Sequence, residues 1–269
     1  MSILQKIVGS KRTSVEKAKE LYPTKLLEQS IYFPTPCVSL KKYLQRRDKV
    51  GIIAEIKRRS PSKGDINPYI DVEDLSIGYM QAGASALSVL TDKEFFGGSN
   101  NDLQISRKFN FCPILRKDFI IDEYQIVEAK SIGADVVLLI AAALSQAQIK
   151  ELSQCAKNLG MEVLLEIHEH EELDYLIPQV DIVGVNNRNL SDFSVSLQKS
   201  FDIGSQIPPT FLKISESGIS KPQSICKLKQ AGFDGFLIGE NFMKHSYPQQ
   251  ACAQFISMVH KEMAKCDAD

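Results

Sequence analysis

The chain has 269 residues, 43% of them hydrophobic, and a formal net charge of −1, which suits one large α/β domain or two small ones. The near-neutral balance argues against a general nucleic-acid binder. No apolar run approaches the roughly 20 residues that span a bilayer, and the start Met1-Ser2-Ile3-Leu4-Gln5-Lys6 lacks the apolar core of a signal peptide.

Residues 1–48 read as an N-terminal helical extension. Ile3, Leu4, Ile7 and Val8, then Val15, Ala18 and Leu21, recur at helical spacing. Val38–Leu44 reads as a further short helix, and Pro23, Pro34 and Pro36 break the segment. The first strand follows at Ile52–Lys57. It places Glu55 and Lys57 two residues apart, hence on one face, and runs into Ser60-Pro61-Ser62-Lys63-Gly64, a loop of hydroxyls and a cation. Two readings are open there: the lip of an active site for an anionic substrate, or a solvated charge pair at a surface strand end.

Downstream, one pattern repeats four times: a helix-ending glycine, a short polar step, then an apolar strand. The glycines are Gly83, Gly133, Gly160 and Gly232, spaced near multiples of about 25 residues, the period of a βα unit. Strands are expected at Ile52–Lys57, Ala86–Leu90, Pro113–Lys117, Asp135–Ile140, Val163–Ile167, Asp181–Asn186, Phe211–Glu216 and Gly235–Gly239. Amphipathic segments separate them at Val72–Gln81, Leu103–Phe109, Asp122–Ser131, Ser145–Asn158, Glu169–Leu176, Leu197–Gln206, Ser220–Gln230 and Gln249–Lys265. Eight alternating units predict a closed (β/α)8 TIM barrel over residues 49–269. No Gly-x-Gly-x-x-Gly follows a strand, so a dinucleotide-binding fold has no support. The extension could cap the barrel mouth, cover its bottom or form a dimer contact.

Catalytic groups of such a barrel sit at the C-terminal ends of its strands. Polar residues fall there on most of the eight: Glu55 and Lys57, then Lys117, Glu166, Asn186 and Arg188, and Glu216. The turns at Ser217-Gly218 and Gly239-Glu240 occupy the usual phosphate position, where glycine lets main-chain amides approach an anion. A valine at Gly218 or Gly239 is therefore expected to obstruct the anion, raising KM mainly and lowering kcat somewhat. The six cysteines (Cys37, Cys112, Cys155, Cys226, Cys252, Cys266) are scattered without a Cys-x-x-Cys pair. They read as reduced thiols of a cytoplasmic protein. His168 and His170 are the one close His pair, and no metal is expected there.

Read together, Ile53-Ala-Glu-Ile-Lys-Arg-Arg-Ser-Pro-Ser-Lys-Gly64, Leu87-Ser-Val-Leu-Thr-Asp92, Phe95-Phe-Gly-Gly-Ser99, Leu115-Arg-Lys-Asp-Phe119, Leu165-Glu-Ile-His168, Val183-Gly-Val-Asn-Asn-Arg-Asn-Leu190, Ser215-Glu-Ser-Gly-Ile219 and Leu237-Ile-Gly-Glu240 resemble the indole-3-glycerol phosphate synthase family over nearly the whole chain, in its stand-alone form. The departures at Arg58-Arg59 and Lys213-Ile214 lie outside the presumed chemistry. The resemblance implies closure of a carboxyphenylamino-deoxyribulose phosphate to indole-3-glycerol phosphate, with loss of carbon dioxide and water and with no cofactor or metal. It implies Lys117 as the acid at the ketone oxygen, Glu55 and Lys57 as an acid/base and orienting pair, and Glu166 as a second acid/base group. Asn186 and Arg188 would fix sugar hydroxyls and carboxylates, and Glu216 would hold the lysines. Ser60, Ser217, Gly218, Gly239 and the Glu240 amide would surround the phosphate, while Phe96 and Leu190 would wall the aromatic ring. The expected partner is a phosphorylated small molecule, not nucleic acid or membrane, and the expected state is a monomer or weak homodimer. Two rivals are a phosphoribosylanthranilate isomerase-like barrel, which would need a Cys/Asp pair, and a non-enzymatic barrel, which would be expected to have lost Lys117 or Glu166.

Overall fold

The computed structural model describes residues 2–266, so the last three residues of the expected barrel segment lie outside it. The strands are β1 (Ile52–Ile56), β2 (Arg59–Ser60), β3 (Gly64–Asp65), β4 (Ala86–Leu90), β5 (Ile114–Lys117), β6 (Val136–Ile140), β7 (Glu162–Ile167), β8 (Ile182–Asn186), β9 (Leu212–Glu216) and β10 (Gly235–Ile238). β2 and β3 form a small antiparallel hairpin. The other eight pair in parallel and close into a barrel in the order β1-β10-β9-β8-β7-β6-β5-β4. Closure rests on the β1–β10 pairing, with Ile53 opposite Leu237. The expected (β/α)8 barrel is therefore present, its strands within a residue of their expected bounds. All four repeat glycines take positive φ, between 72° and 102°, the left-handed conformation that ends a helix without a Cβ penalty.

The strands are apolar almost throughout because both faces are buried. Val89, Ile114, Val137, Val163 and Val185 face outward and join the large core beneath the helices. Ile53, Ala86, Leu115, Leu138, Leu164, Ile182, Ile214 and Leu237 face inward and fill the barrel.

The extension occupies both ends of this barrel. Helix α1 (Ile3–Leu21) opens on a capping box between Ser2 and Gln5. Its Ile3, Leu4 and Ile7 reach the cavity at the C-terminal mouth. Helix α2 (Thr24–Leu27) is a single turn after Pro23. Helix α3 (Leu40–Leu44) drives Leu40 and Leu44 into the inner barrel cluster. Leu44 packs beside Gly235 at the start of β10, which places this plug at the bottom. Each fully buried leucine contributes about 2 kcal/mol.

The segment expected as amphipathic at Glu169–Leu176 is a 3-10 helix, His170–Tyr175. The Glu172 side chain folds back to accept the amides of His168 (2.5 Å) and Glu169 (3.2 Å), which tightens the turn. Among the described residues, no helix is long and apolar enough to cross a membrane.

Candidate active site

The inward period-two register continues past the apolar layers and becomes polar at the C-terminal end. On β1, Ile53 is followed on the same face by Glu55; on β5, Leu115 by Lys117; on β7, Leu164 by Glu166; on β9, Ile214 by Glu216. These four strands alternate around the ring. Barrel interiors are filled by layers of four side chains from alternate strands, ordinarily branched apolar ones. Here the uppermost layer is three carboxylates and one ammonium.

Lys117 sits at its centre. Its Nζ lies 2.5 Å from Glu166 Oε2 and 3.0 Å from Glu216 Oε2. Burial works against the ammonium, but Glu166, Glu216 and Glu55 outweigh it, and the Lys117 pKa is raised. Lys117 is therefore charged at neutral pH. The two glutamates respond in opposite directions. Burial also opposes ionisation of Glu166, yet Lys117 and then His168 overcome it and hold the carboxyl well below its usual range. Glu216 is pushed up to about 7 by burial, with Glu166 adding repulsion against the pull of Lys117. Its Oε1 has no hydrogen-bond partner among the described residues. That oxygen lies where a Cβ on Gly184 of β8 would sit, so the glycine is what admits the carboxylate.

Lys57 donates to Glu55 at 2.6 Å. Glu216 thus holds one lysine, Lys117, and the expectation that it holds both is corrected: Lys57 is taken by the carboxylate two residues before it. Asn186 Oδ1 accepts the Arg188 amide at 3.0 Å, and the Arg188 guanidinium reaches the Phe193 carbonyl at 3.2 Å and Glu240 Oε2 at 3.4 Å.

A cavity of about 530 Å³ opens above this layer, and all fourteen residues expected from the sequence line it. Phe96 and Leu190 belong to its apolar wall, and Ser60, Ser217, Gly218, Gly239 and Glu240 lie at the strand-one loop and the β9 and β10 turns. Ser217 takes a φ of 69° and Gly218 one of 76°. A left-handed φ is costly for serine and free for glycine. The valine expectation needs correcting. An added Cβ at Gly218 would strike the Val195 side chain, and one at Gly239 would strike Glu55. Gly239→Val would disturb a carboxylate of the polar layer, so its loss would fall on turnover more than the anion argument alone gives.

Five residues named in the sequence were given no place in the site. Phe119 meets Phe96 with ring centroids 5.9 Å apart, and Ile3, Leu4 and Ile7 of α1 line the same cavity. His168 is buried with Nε2 3.3 Å from Glu166 Oε1. Glu166-x-His168 has the same spacing as Glu55-x-Lys57 and was equally readable. His170 points elsewhere, its Nδ1 against Gln206 at 2.9 Å. Among the described residues, no group of three or more His, Cys, Asp or Glu is arranged to hold a metal. Cys112 lies at the opposite end, just before β5, with its thiol pushed up to about 12 by burial. It supplies no base, which removes the isomerase-like reading.

The family model for indole-3-glycerol phosphate synthase matches residues 4–255. An indole-3-glycerol phosphate synthase of Bacteroides thetaiotaomicron is 48% identical over 257 residues, covering 96% of this chain and 98% of the relative. One from Salinibacter ruber is 41% identical, covering 94% and 95%. Among solved structures, a tryptophan synthase alpha chain from Legionella pneumophila aligns with a TM-score of 0.59 at 15% identity, over 82% of this chain and 95% of that one. The last likeness concerns the fold.

Proposed function

The chain belongs to the indole-3-glycerol phosphate synthase family, and on that premise we propose how its rim divides the work. The reaction closes 1-(2-carboxyphenylamino)-1-deoxy-D-ribulose 5-phosphate to indole-3-glycerol phosphate, releasing CO2 and water, as the carboxy-lyase step of L-tryptophan biosynthesis. An aromatic ring carbon is a weak nucleophile, so the ketone must be polarised as the new bond forms. Lys117, held charged by its two glutamates, gives its proton to the ketone oxygen as the ring carbon attacks. Departure of CO2 returns the bonding electrons to the ring. The hydroxyl so formed then leaves as water, taking a proton in, while the neighbouring CH2 loses one.

Glu166, the more strongly ionised carboxylate, suits the proton-accepting side of this dehydration. Glu216, titrating near neutrality, orients Lys117 and can return its proton. Glu55 and Lys57 form the acid/base and orienting pair opposite. Arg188 and Asn186 hold the sugar hydroxyls. The amides and hydroxyls of Ser60, Ser217, Gly218, Gly239 and Glu240 hold the phosphate, and Phe96 and Leu190 wall the ring. The observation that carries this assignment is the polar layer itself: a buried ammonium between two carboxylates, where a barrel otherwise places branched apolar side chains.

The substrate is thus a phosphorylated small molecule. The near-neutral charge supports neither nucleic acid nor membrane as a partner, the scattered cysteines support a cytoplasmic setting, and a monomer or weak homodimer is proposed. The test is the purified chain with synthetic substrate, followed by indole fluorescence, beside Lys117→Ala. Turnover should fall by about 10² to 10⁴ in the variant, with substrate affinity within about tenfold. Near-native kcat in Lys117→Ala would remove that lysine from its role.

A further inference from the structure

The apolar stripe by which α1 meets the barrel is interrupted by a cation: its buried residues are Ile7, Lys11 and Val15. Lys11 is 8% exposed. Its Nζ lies 2.8 Å from Asp92 Oδ2 and 2.7 Å from Asp118 Oδ1, and both aspartates are buried. Each leads directly into the site. Asp118 follows Lys117, its Oδ1 accepts the Phe119 amide at 2.8 Å, and its Oδ2 accepts the Thr91 hydroxyl at 2.6 Å. Asp92 caps the short helix Lys93–Phe96 through the Phe95 amide at 2.7 Å, and that helix delivers Phe96 to face Phe119. Ser10 also donates to Glu94 on the same short helix. One ammonium therefore ties α1 to the segment bearing the acid and to both aromatic walls.

Stability is a poor reason for this arrangement. A desolvated ion cluster is often no more stabilising than packed apolar side chains of the same volume, and the stripe around Lys11 would accept a methionine. What such a cluster does supply is fixed geometry. We propose that Lys11 is a positioning residue for the ring closure: by bridging Asp92 and Asp118 it holds the end of β5 and the Phe96 helix in register, so that α1 is part of the catalytic apparatus. Misplacing a reacting group by about 1 Å costs on the order of 10²-fold in rate, and the effect belongs in kcat. The proposal rests on the assignment of Lys117 as the acid.

Three variants test it, assayed below their unfolding midpoints. Lys11→Met should lower kcat by about 30- to 100-fold while KM rises less than about tenfold. Lys11→Met with Asp92→Asn removes one cation and one anion together, leaving the net charge of the cluster as in the native chain, and Asn still accepts the Phe95 amide. This double variant should regain the unfolding midpoint lost in Lys11→Met yet keep its low kcat, because the bridge is absent from both. Native-like kcat in Lys11→Met overturns the proposal, as does recovery of native kcat in the double variant, which would make charge balance the whole effect. If Lys11→Met fails to fold, the double variant alone decides. Lys117→Met run alongside separates the premise: native-like turnover there overturns the acid assignment, whereas an inactive Lys117→Met beside a fully active Lys11→Met overturns the bridge only.

Discussion

The two ends of the barrel use the same residue types for opposite purposes. At the bottom, Asp135, Asp181 and Asp234 each precede or open a strand and accept the amide of a residue at the start of the preceding one. These contacts are Ile114 N at 2.8 Å, Val163 N at 2.9 Å and Lys213 N at 2.9 Å. Arg107 and Lys157 neutralise the first two. Those carboxylates are pinned by main-chain amides, donors that do not titrate. At the top, Glu55 pairs with Lys57, Glu166 and Glu216 share Lys117, and Glu216 Oε1 and the His168 ring are left without a hydrogen bond among the described residues. Carboxylates bonded to backbone amides hold strands in register. Carboxylates bonded to one another's partners can change protonation state, which is what proton transfer requires.

The contrast is sharpest where a single methyl group is added. Alanine at Gly184 puts a Cβ onto Glu216 Oε1, so the carboxylate must turn away from Lys117. Turnover should fall by about 10², with the unfolding midpoint changed by only a few degrees. A Gly184→Ala enzyme with native kcat would mean that Glu216 does not need its place, and the account of the top layer would fail. The mirror experiment is Asp135→Ala at the bottom. It strands the amides of Val38 and Ile114 and leaves Arg107 without its carboxylate. The expected cost is about 3 kcal/mol, or about 8 °C in Tm, with kcat within about twofold below the transition. Lost turnover in a folded Asp135→Ala protein would erase the distinction between the two ends.

The eight strands were legible because burial on both faces demands unbroken apolar runs, and helix-ending glycines punctuate them. The fourteen residues that line the cavity were legible partly through the family motifs and partly because strand ends are where an apolar run stops. What escaped has physical causes. The β2–β3 hairpin, the Lys93–Phe96 turn, the 3-10 turn Ala141–Ala143 and the one-turn helix Glu240–Met243 are too short for periodicity, and their form is set by contacts such as the Asp92 cap. The position of α1 was undecided because an amphipathic helix does not say which apolar surface it covers. Lys11 carried that information as a cation within the stripe, but its meaning depends on Asp92 and Asp118, distant in sequence. Phe119 was read as part of a motif, yet its pairing with Phe96 belongs to the closed barrel.

The smallest expected effect concerns His168, which touches the top layer without belonging to it. Burial lowers the affinity of its ring for a proton, but Glu166, then Glu172 and Glu216, reverse this and raise the pKa above the ordinary 6.5. The charged groups facing Glu166 are therefore Lys117, His168 and Glu216. Replacing His168 with glutamine removes one of the two influences that keep Glu166 ionised, so the Glu166 pKa rises. The acid limb of kcat against pH should move to higher pH by up to about one unit, while Lys117 stays protonated and the alkaline limb stays in place. Stability supplies a second sign. A group whose folded pKa is raised stabilises fully below its unfolded value and loses that contribution as pH climbs through its folded one. The stability gap between native protein and His168→Gln should accordingly be widest below about pH 6.5 and close as pH climbs through the raised folded value. A gap that widens with pH, or an acid limb that does not move, would show that His168 merely fills space beside Glu166.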